Sequence, residues 1–177
     1  MSSTYNVLFV CTGNSARSVI AEALLNAMGE GRFRGFSAGS QPGGSVEPTV
    51  LDYLAARGIP AGEARSKSWD EFAGDDAPQM DLVITVCDRA AGETCPVWPG
   101  HPACAHWSIP DPMQHREDPQ SLRRAVADVF HTLQAHIRLL ISLPVDTLDR
   151  HRLEHEVHAI GAGAARRQET EPRPARW

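Results

Sequence analysis

The chain has 177 residues, 42% of them hydrophobic and 22% charged, an ordinary balance for one globular domain with a substantial core and an argument against two. Its net charge is −5, and without a Lys/Arg block ahead of the tail it carries no electrostatic footprint for nucleic acid or for an anionic membrane. The opening MSSTYNVLFVCTGN has no basic leader, and its apolar run is too short for a signal segment or a membrane span, so a cytoplasmic protein is expected.

In chain order, residues 6–10 are a continuous apolar run suited to a strand buried on both faces. A helix follows, with Val19, Ile20, Ala23, Leu24, Ala27 and Met28 at helical spacing, Glu22, Asn26 and Glu30 on the opposite face, and Gly29 placed to stop it. Residues 33–38 offer a second strand, closed by a Gly, Ser and Pro-rich turn. Residues 46–57 read as a helix with Gly58 at its left-handed end, and SKSWDEF as a short helix with Ser68 and Glu71 in a capping-box pattern. DLVITV, residues 81–86, is the next clear strand and runs into Cys87. Residues 88–105, rich in Gly and Pro, read as a surface loop, and residues 105–109 as a last short strand. Asp118 and Pro119 open a long helix whose stripe is Leu122, Ala125, Val126, Val129, Phe130, Leu133, Ile137, Leu140 and Ile141. Residues 1–144 therefore form the domain. Residues 145–177 form an extension, a weak helical pattern over 148–160 followed by an Arg, Glu, Pro and Ala-rich stretch expected to be disordered.

Strands alternating with helices predict an α/β sandwich, a parallel sheet between two helical layers, with ligands bound beyond the carboxyl ends of the strands. Cys11, Cys87 and Asp111 all follow predicted strands, so three separate stretches converge on one crevice. CTGNSAR, from Cys11 to Arg17, lies between the first strand and the first helix. There Thr12, Gly13, Asn14, Ser15 and Ala16 can turn their N–H groups onto one centre, forming an anion nest at a helix N-terminus. The same dipoles and Arg17 are expected to favour the Cys11 thiolate, lowering its pKa from about 8.5. Arg17 adds a planar fork for two oxygens of a tetrahedral oxyanion, and Ser18 can hydrogen-bond the sulfur.

These motifs, with AEALLN, FSAGS, SKSWDEF, DLVITVCDRAAGETCPVWPG and HWSIPDP in the same order, resemble the thioredoxin-coupled arsenate reductases built on the low-molecular-weight protein-tyrosine-phosphatase fold. The resemblance covers residues 6–144. It implies a central four-stranded parallel sheet in a three-layer sandwich, arsenate as substrate, arsenite as product, and thioredoxin or another thiol reductant as electron donor. It also implies a relay in which Cys11 attacks the oxyanion, Cys87 attacks Cys11 to expel the reduced product, and Cys95 resolves the disulfide by thiol exchange. Asp111, in IPDP, would then protonate a leaving oxygen.

Some relatives hold a potassium ion near the loop, and Asn14, Glu22, Ser37 and Asp70 match those positions; no tightly bound cofactor is otherwise implied. Ala16 stands where both related families often carry a second loop cysteine, so an oxidised pair inside the loop is unavailable. The spacing of Cys87 and Cys95 is one residue longer than in the best-known thioredoxin-linked members, which leaves thioredoxin and other thiol donors both open. Cys104 either substitutes for Cys95 or has no role.

Two other readings are weighed. A cysteine-dependent phosphatase needs only Cys11, Arg17 and Asp111, but Met113 and Gln114 follow the Asp-Pro where phosphatases usually present an aromatic residue. Cys95, His101, Cys104 and His106 have zinc-like ligand types, yet their spacing fits no strong zinc pattern, and no metal site is expected.

Overall fold

A computed structural model describes residues 4–61, 64–86 and 98–170. Four strands, β1 (Tyr5–Cys11), β2 (Phe33–Gly39), β3 (Leu82–Thr85) and β4 (Ala103–His106), form one parallel sheet in the order β2-β1-β3-β4. The helices are α1 (Arg17–Met28), α2 (Pro48–Ala56), α3 (Pro119–Ile141) and α4 (Arg150–Thr170), with short 3-10 turns at Trp69–Phe72 and Pro112–His115. Among the described residues no helix is long and apolar enough to cross a membrane.

Val7, Leu8, Phe9 and Val10 point alternately to opposite faces and are all fully buried, so both faces of the sheet are covered, as the unbroken apolar run requires. β1 sits between β2 and β3, and the chain changes direction there. A crevice at the carboxyl ends of β1 and β3 is the expected binding position in such a sheet. Cys11 is the last residue of β1, and Val86, the residue before Cys87, donates its N–H to the Val10 carbonyl at 2.8 Å. The chain thus enters the Cys87–Cys95 stretch beside Cys11.

α3 matches its predicted stripe closely: Leu122, Val126, Val129, Phe130, Leu133, Ile137 and Leu140 are buried, and the Asp118 carboxylate caps it by accepting from the Gln120 N–H at 3.3 Å. Other expectations need correction. β4 is Ala103–His106 rather than residues 105–109, because the backbone leaves the ladder after Trp107 donates to the Thr85 carbonyl. The 69–72 turn is 3-10, and Glu71 does not complete a capping box; its carboxylate takes both guanidinium N–H groups of Arg65 at 2.7 and 3.0 Å. The half-buried Glu22 carboxylate accepts from Ser37 Oγ at 2.7 Å.

α4 continues past Gly161 to Thr170, and its first turns lie over β4 with Leu153 and Val157 buried. Trp107, fully buried, donates its indole N–H to the Val157 carbonyl at 2.8 Å. A Cβ at Gly161 would come within 2.8 Å of the Trp107 ring. This close approach needs a residue without a side chain.

Candidate active site

The loop between β1 and α1 is shaped by what its carbonyls do. Those of Cys11, Thr12, Gly13 and Ser15 accept from the N–H groups of Ser40, Gln41, Gly43 and Glu47 in the stretch after β2, at 2.9 to 3.1 Å. Ser66 Oγ also donates to the Gly13 carbonyl at 3.0 Å. Because the peptide unit is planar and trans, pinning these carbonyls outward turns the N–H groups of residues 12, 13, 14 and 16 the other way. The Asn14 N–H accordingly donates to Cys11 Sγ at 3.2 Å.

Two backbone features hold this curl. Asn14 adopts the left-handed conformation (φ 48°), which Asn tolerates better than most residues. Gly39, at the end of β2, passes so close that a Cβ there would lie 2.5 Å from the Thr12 carbonyl oxygen. Ala16 at the start of α1 offers no side-chain cap, so the first N–H groups of the helix stay available to an anion.

Cys11 is 2% exposed and its sulfur lies 2.9 Å from Ser18 Oγ. Burial pushes the Cys11 thiol up, while the Ser18 hydroxyl, the Ser18 N–H, the Arg17 charge and the Asn14 N–H pull it down. Burial is the largest of these and the net direction is upward, which corrects the expectation of a strongly lowered pKa. The activating groups are all present, but in this arrangement they offset burial only in part.

Arg17 reaches across the mouth of the loop, donating from Nη1 to the Ile109 carbonyl at 3.0 Å and placing Nη2 3.7 Å from Asp111 Oδ2. The other Asp111 oxygen accepts from the Met113 N–H at 3.0 Å, capping the Pro112–His115 turn. Of the three residues expected to converge after strands, Cys11 and Asp111 line one groove with Arg17 between them; Cys87 lies outside the described residues. The groove, of about 1230 Å³, is lined by Cys11, Thr12, Gly13, Ser15, Ala16 and Arg17, by residues 108–116, and by the facing side of α3.

Asn14 and Ser18 do not line that groove. Both side chains are fully buried beneath it, where Ser18 Oγ meets the Cys11 sulfur and the Asn14 N–H donates to it. Asn14 Nδ2 donates to Ser18 Oγ at 2.8 Å, and its Oδ1 accepts from the Lys67 N–H at 2.8 Å. Lys67 was absent from the sequence expectations. Its Nζ donates to the Arg65 carbonyl at 3.1 Å and to Ser37 Oγ at 3.4 Å, while Ser37 Oγ itself donates to Glu22. Burial raises the Glu22 pKa and lowers that of Lys67, and each charge opposes the shift of the other.

Cys87 and Cys95 lie outside the described residues. Cys104 is exposed on β4, and His106 is held by Thr85, with Thr85 Oγ1 2.7 Å from His106 Nδ1. Among the described residues no three His, Cys, Asp or Glu side chains converge as a metal site would require.

The model of the low molecular weight phosphotyrosine protein phosphatase family matches residues 6–153. The chain belongs to this family. Within it, the relatives matched include an arsenate reductase of Brevibacillus brevis, 33% identical over 112 residues that make up 63% of this chain and 80% of the relative. Among solved structures, an arsenate reductase from Archaeoglobus fulgidus is 35% identical with a TM-score of 0.56, covering 75% of this chain and 98% of that one. A thioredoxin-dependent arsenate reductase from Corynebacterium glutamicum is 28% identical with a TM-score of 0.52, covering 78% of this chain and 64% of that one. This branch of the family shares the four-stranded parallel sheet and the helices that cover it.

Proposed function

We propose that this protein reduces arsenate to arsenite, with Cys11 as nucleophile and Cys87 and Cys95 as the two further thiols of a relay. The observation that carries the reading is the Cys11 sulfur at the focus of a loop whose carbonyls are pinned outward, with Arg17 across its mouth. The arsenate reductases among its relatives give that oxyanion loop its substrate.

In the relay the Cys11 thiolate attacks As(V), and one arsenate oxygen leaves as water, its proton supplied at Asp111. Arg17 and the loop N–H groups hold the remaining oxygens. The Cys87 thiolate then attacks Cys11 Sγ. An S–S bond forms, the S–As bond breaks, and its electron pair stays on arsenic, which departs as arsenite. Cys95 attacks Cys87, frees Cys11 and leaves a Cys87–Cys95 disulfide for an external dithiol to reduce. Thioredoxin is the donor that the Corynebacterium relative suggests, and such a cycle belongs in a reducing compartment, the cytoplasm.

The family description favours a second reading, a phosphatase that forms a phosphocysteine at Cys11. The groove over Cys11 has no Phe, Tyr or Trp among its described lining residues, the large rings that would give a phosphotyrosine its strongest aromatic contacts. Peptide mass mapping after one arsenate turnover tests the relay. The expected product is a Cys87–Cys95 bridge in the wild type and a trapped arsenic adduct with no bridge in Cys87→Ser. A fully reduced wild type after exposure to arsenate would contradict it.

A further inference from the structure

Lys67 is the only lysine among the chain's 17 Lys and Arg residues, and it is buried. A lone lysine in a chain that otherwise relies on arginine marks a place where a compact point charge fits and a planar guanidinium does not. That place is directly under the Cys11 loop. The Lys67 ammonium donates to Ser37 Oγ and to the Arg65 carbonyl, and the half-buried Glu22 carboxylate interacts with it electrostatically.

The residues that match a potassium site in relatives do not form one here. Asn14 Oδ1 is taken by the Lys67 N–H, and Asp70 is exposed. Ser37 and the Arg65 carbonyl already accept from the ammonium. A second cation would have to bring its charge against that of Lys67 and find oxygen ligands that are already committed.

We infer that the Lys67 side chain is a built-in cation, replacing a bound potassium ion beneath the anion-binding loop and positioning Cys11 through Asn14 and Ser18. The inference rests on Cys11 being the reactive centre. The ammonium ties the 65–67 stretch to β2 through the Arg65 carbonyl and Ser37, the main-chain N–H of Lys67 then fixes the Asn14 carboxamide, Asn14 fixes the Ser18 hydroxyl, and Ser18 contacts the sulfur at 2.9 Å. Lys67 touches neither substrate nor sulfur and is a positioning residue.

The test compares the rate at which iodoacetamide alkylates Cys11, followed by peptide mass mapping, in potassium chloride and in tetramethylammonium chloride of equal ionic strength. Thermal unfolding midpoints are recorded in both salts. For the full-length wild type, rate and midpoint are expected to be the same in the two salts. In Lys67→Ala, which vacates the space, alkylation in tetramethylammonium should fall on the order of tenfold to a hundredfold, the scale of a misplaced reacting group, and potassium should restore much of it. A variant that folds only in potassium is the same result read in the fold. Lys67→Gln keeps a donor for Ser37 and Arg65 but no charge, and carries the comparison should the alanine variant fail to fold in either salt. A saturable rise in wild-type rate or midpoint with potassium would overturn the inference. So would variants that react like the wild type, or that slow equally in both salts. No arm involves arsenate, so these outcomes leave the assignment of substrate untouched.

Discussion

Cys11 shows how burial and local dipoles compete at one atom. Enclosure of the sulfur raises its pKa, and Ser18, Arg17 and the Asn14 N–H oppose that rise. In the folded protein the thiol therefore binds its proton more tightly than an ordinary cysteine does. Alkylation of Cys11 should keep accelerating as pH passes about 8.5, the ordinary thiol value, rather than levelling off near neutrality. Ser18→Ala removes one of the lowering contacts, so it should slow alkylation at fixed pH and move the profile further to the alkaline side. A profile already flat between neutrality and pH 8 would show instead that the dipoles win. CTGNSAR was legible because its chemistry is local, a Cys and an Arg separated by residues that can curl. The Lys67 contact was not, because it joins residues 53 apart in the chain and a single Lys between serines reads as surface. The available signal was compositional, the scarcity of lysine against so much arginine.

At the level of elements, the strands of continuous apolar residues and the long stripe of α3 were readable because each pattern states its own burial. β4 was not. Its ACAH has no β-branched residue and follows Pro102, so the more apolar residues after it looked like the strand. α4 was only half legible, because its two buried positions, Leu153 and Val157, are one turn apart in a polar segment and their partner Trp107 lies far away in sequence. Gly161→Val would press a branched side chain into the Trp107 ring, and overpacking of this kind costs about 1–3 kcal/mol. Chemical denaturation should register that loss; an unchanged midpoint would mean that α4 is not held against β4.

His136 joins α3 to the same cluster, its ring edge-to-face with Trp107 at 5.1 Å between centroids. Burial lowers its pKa below the ordinary value, so the unfolded chain binds its proton first as pH falls. Stability should drop as pH descends from about 6.5 towards the lowered value of the folded protein. His136→Phe keeps the aromatic contact and should flatten that slope. An equally steep slope in the variant would assign the acid sensitivity elsewhere.

Across the whole molecule, three chain segments distant in sequence are brought to the carboxyl edge of one parallel sheet. β1 delivers Cys11, the segment after β4 delivers Asp111, and β3 ends two residues before Cys87. The order of strands explains why these meet: β1 and β3 are neighbours at the point where the chain reverses its direction across the sheet, and the crevice forms there. Alternating strands and helices in the sequence predict that crevice. The placement of Cys87 and Cys95 is not predicted by any periodicity, since a Gly and Pro-rich segment carries none.

Turnover of arsenate at the Cys11 loop is read as arsenite release from arsenate in the presence of thioredoxin, thioredoxin reductase and NADPH. Sustained release by the wild type and none by Cys11→Ser or Cys87→Ser is expected. No arsenite from the wild type, together with steady hydrolysis of an aryl phosphate that survives Cys87→Ser, would contradict it and leave the phosphatase reading in its place.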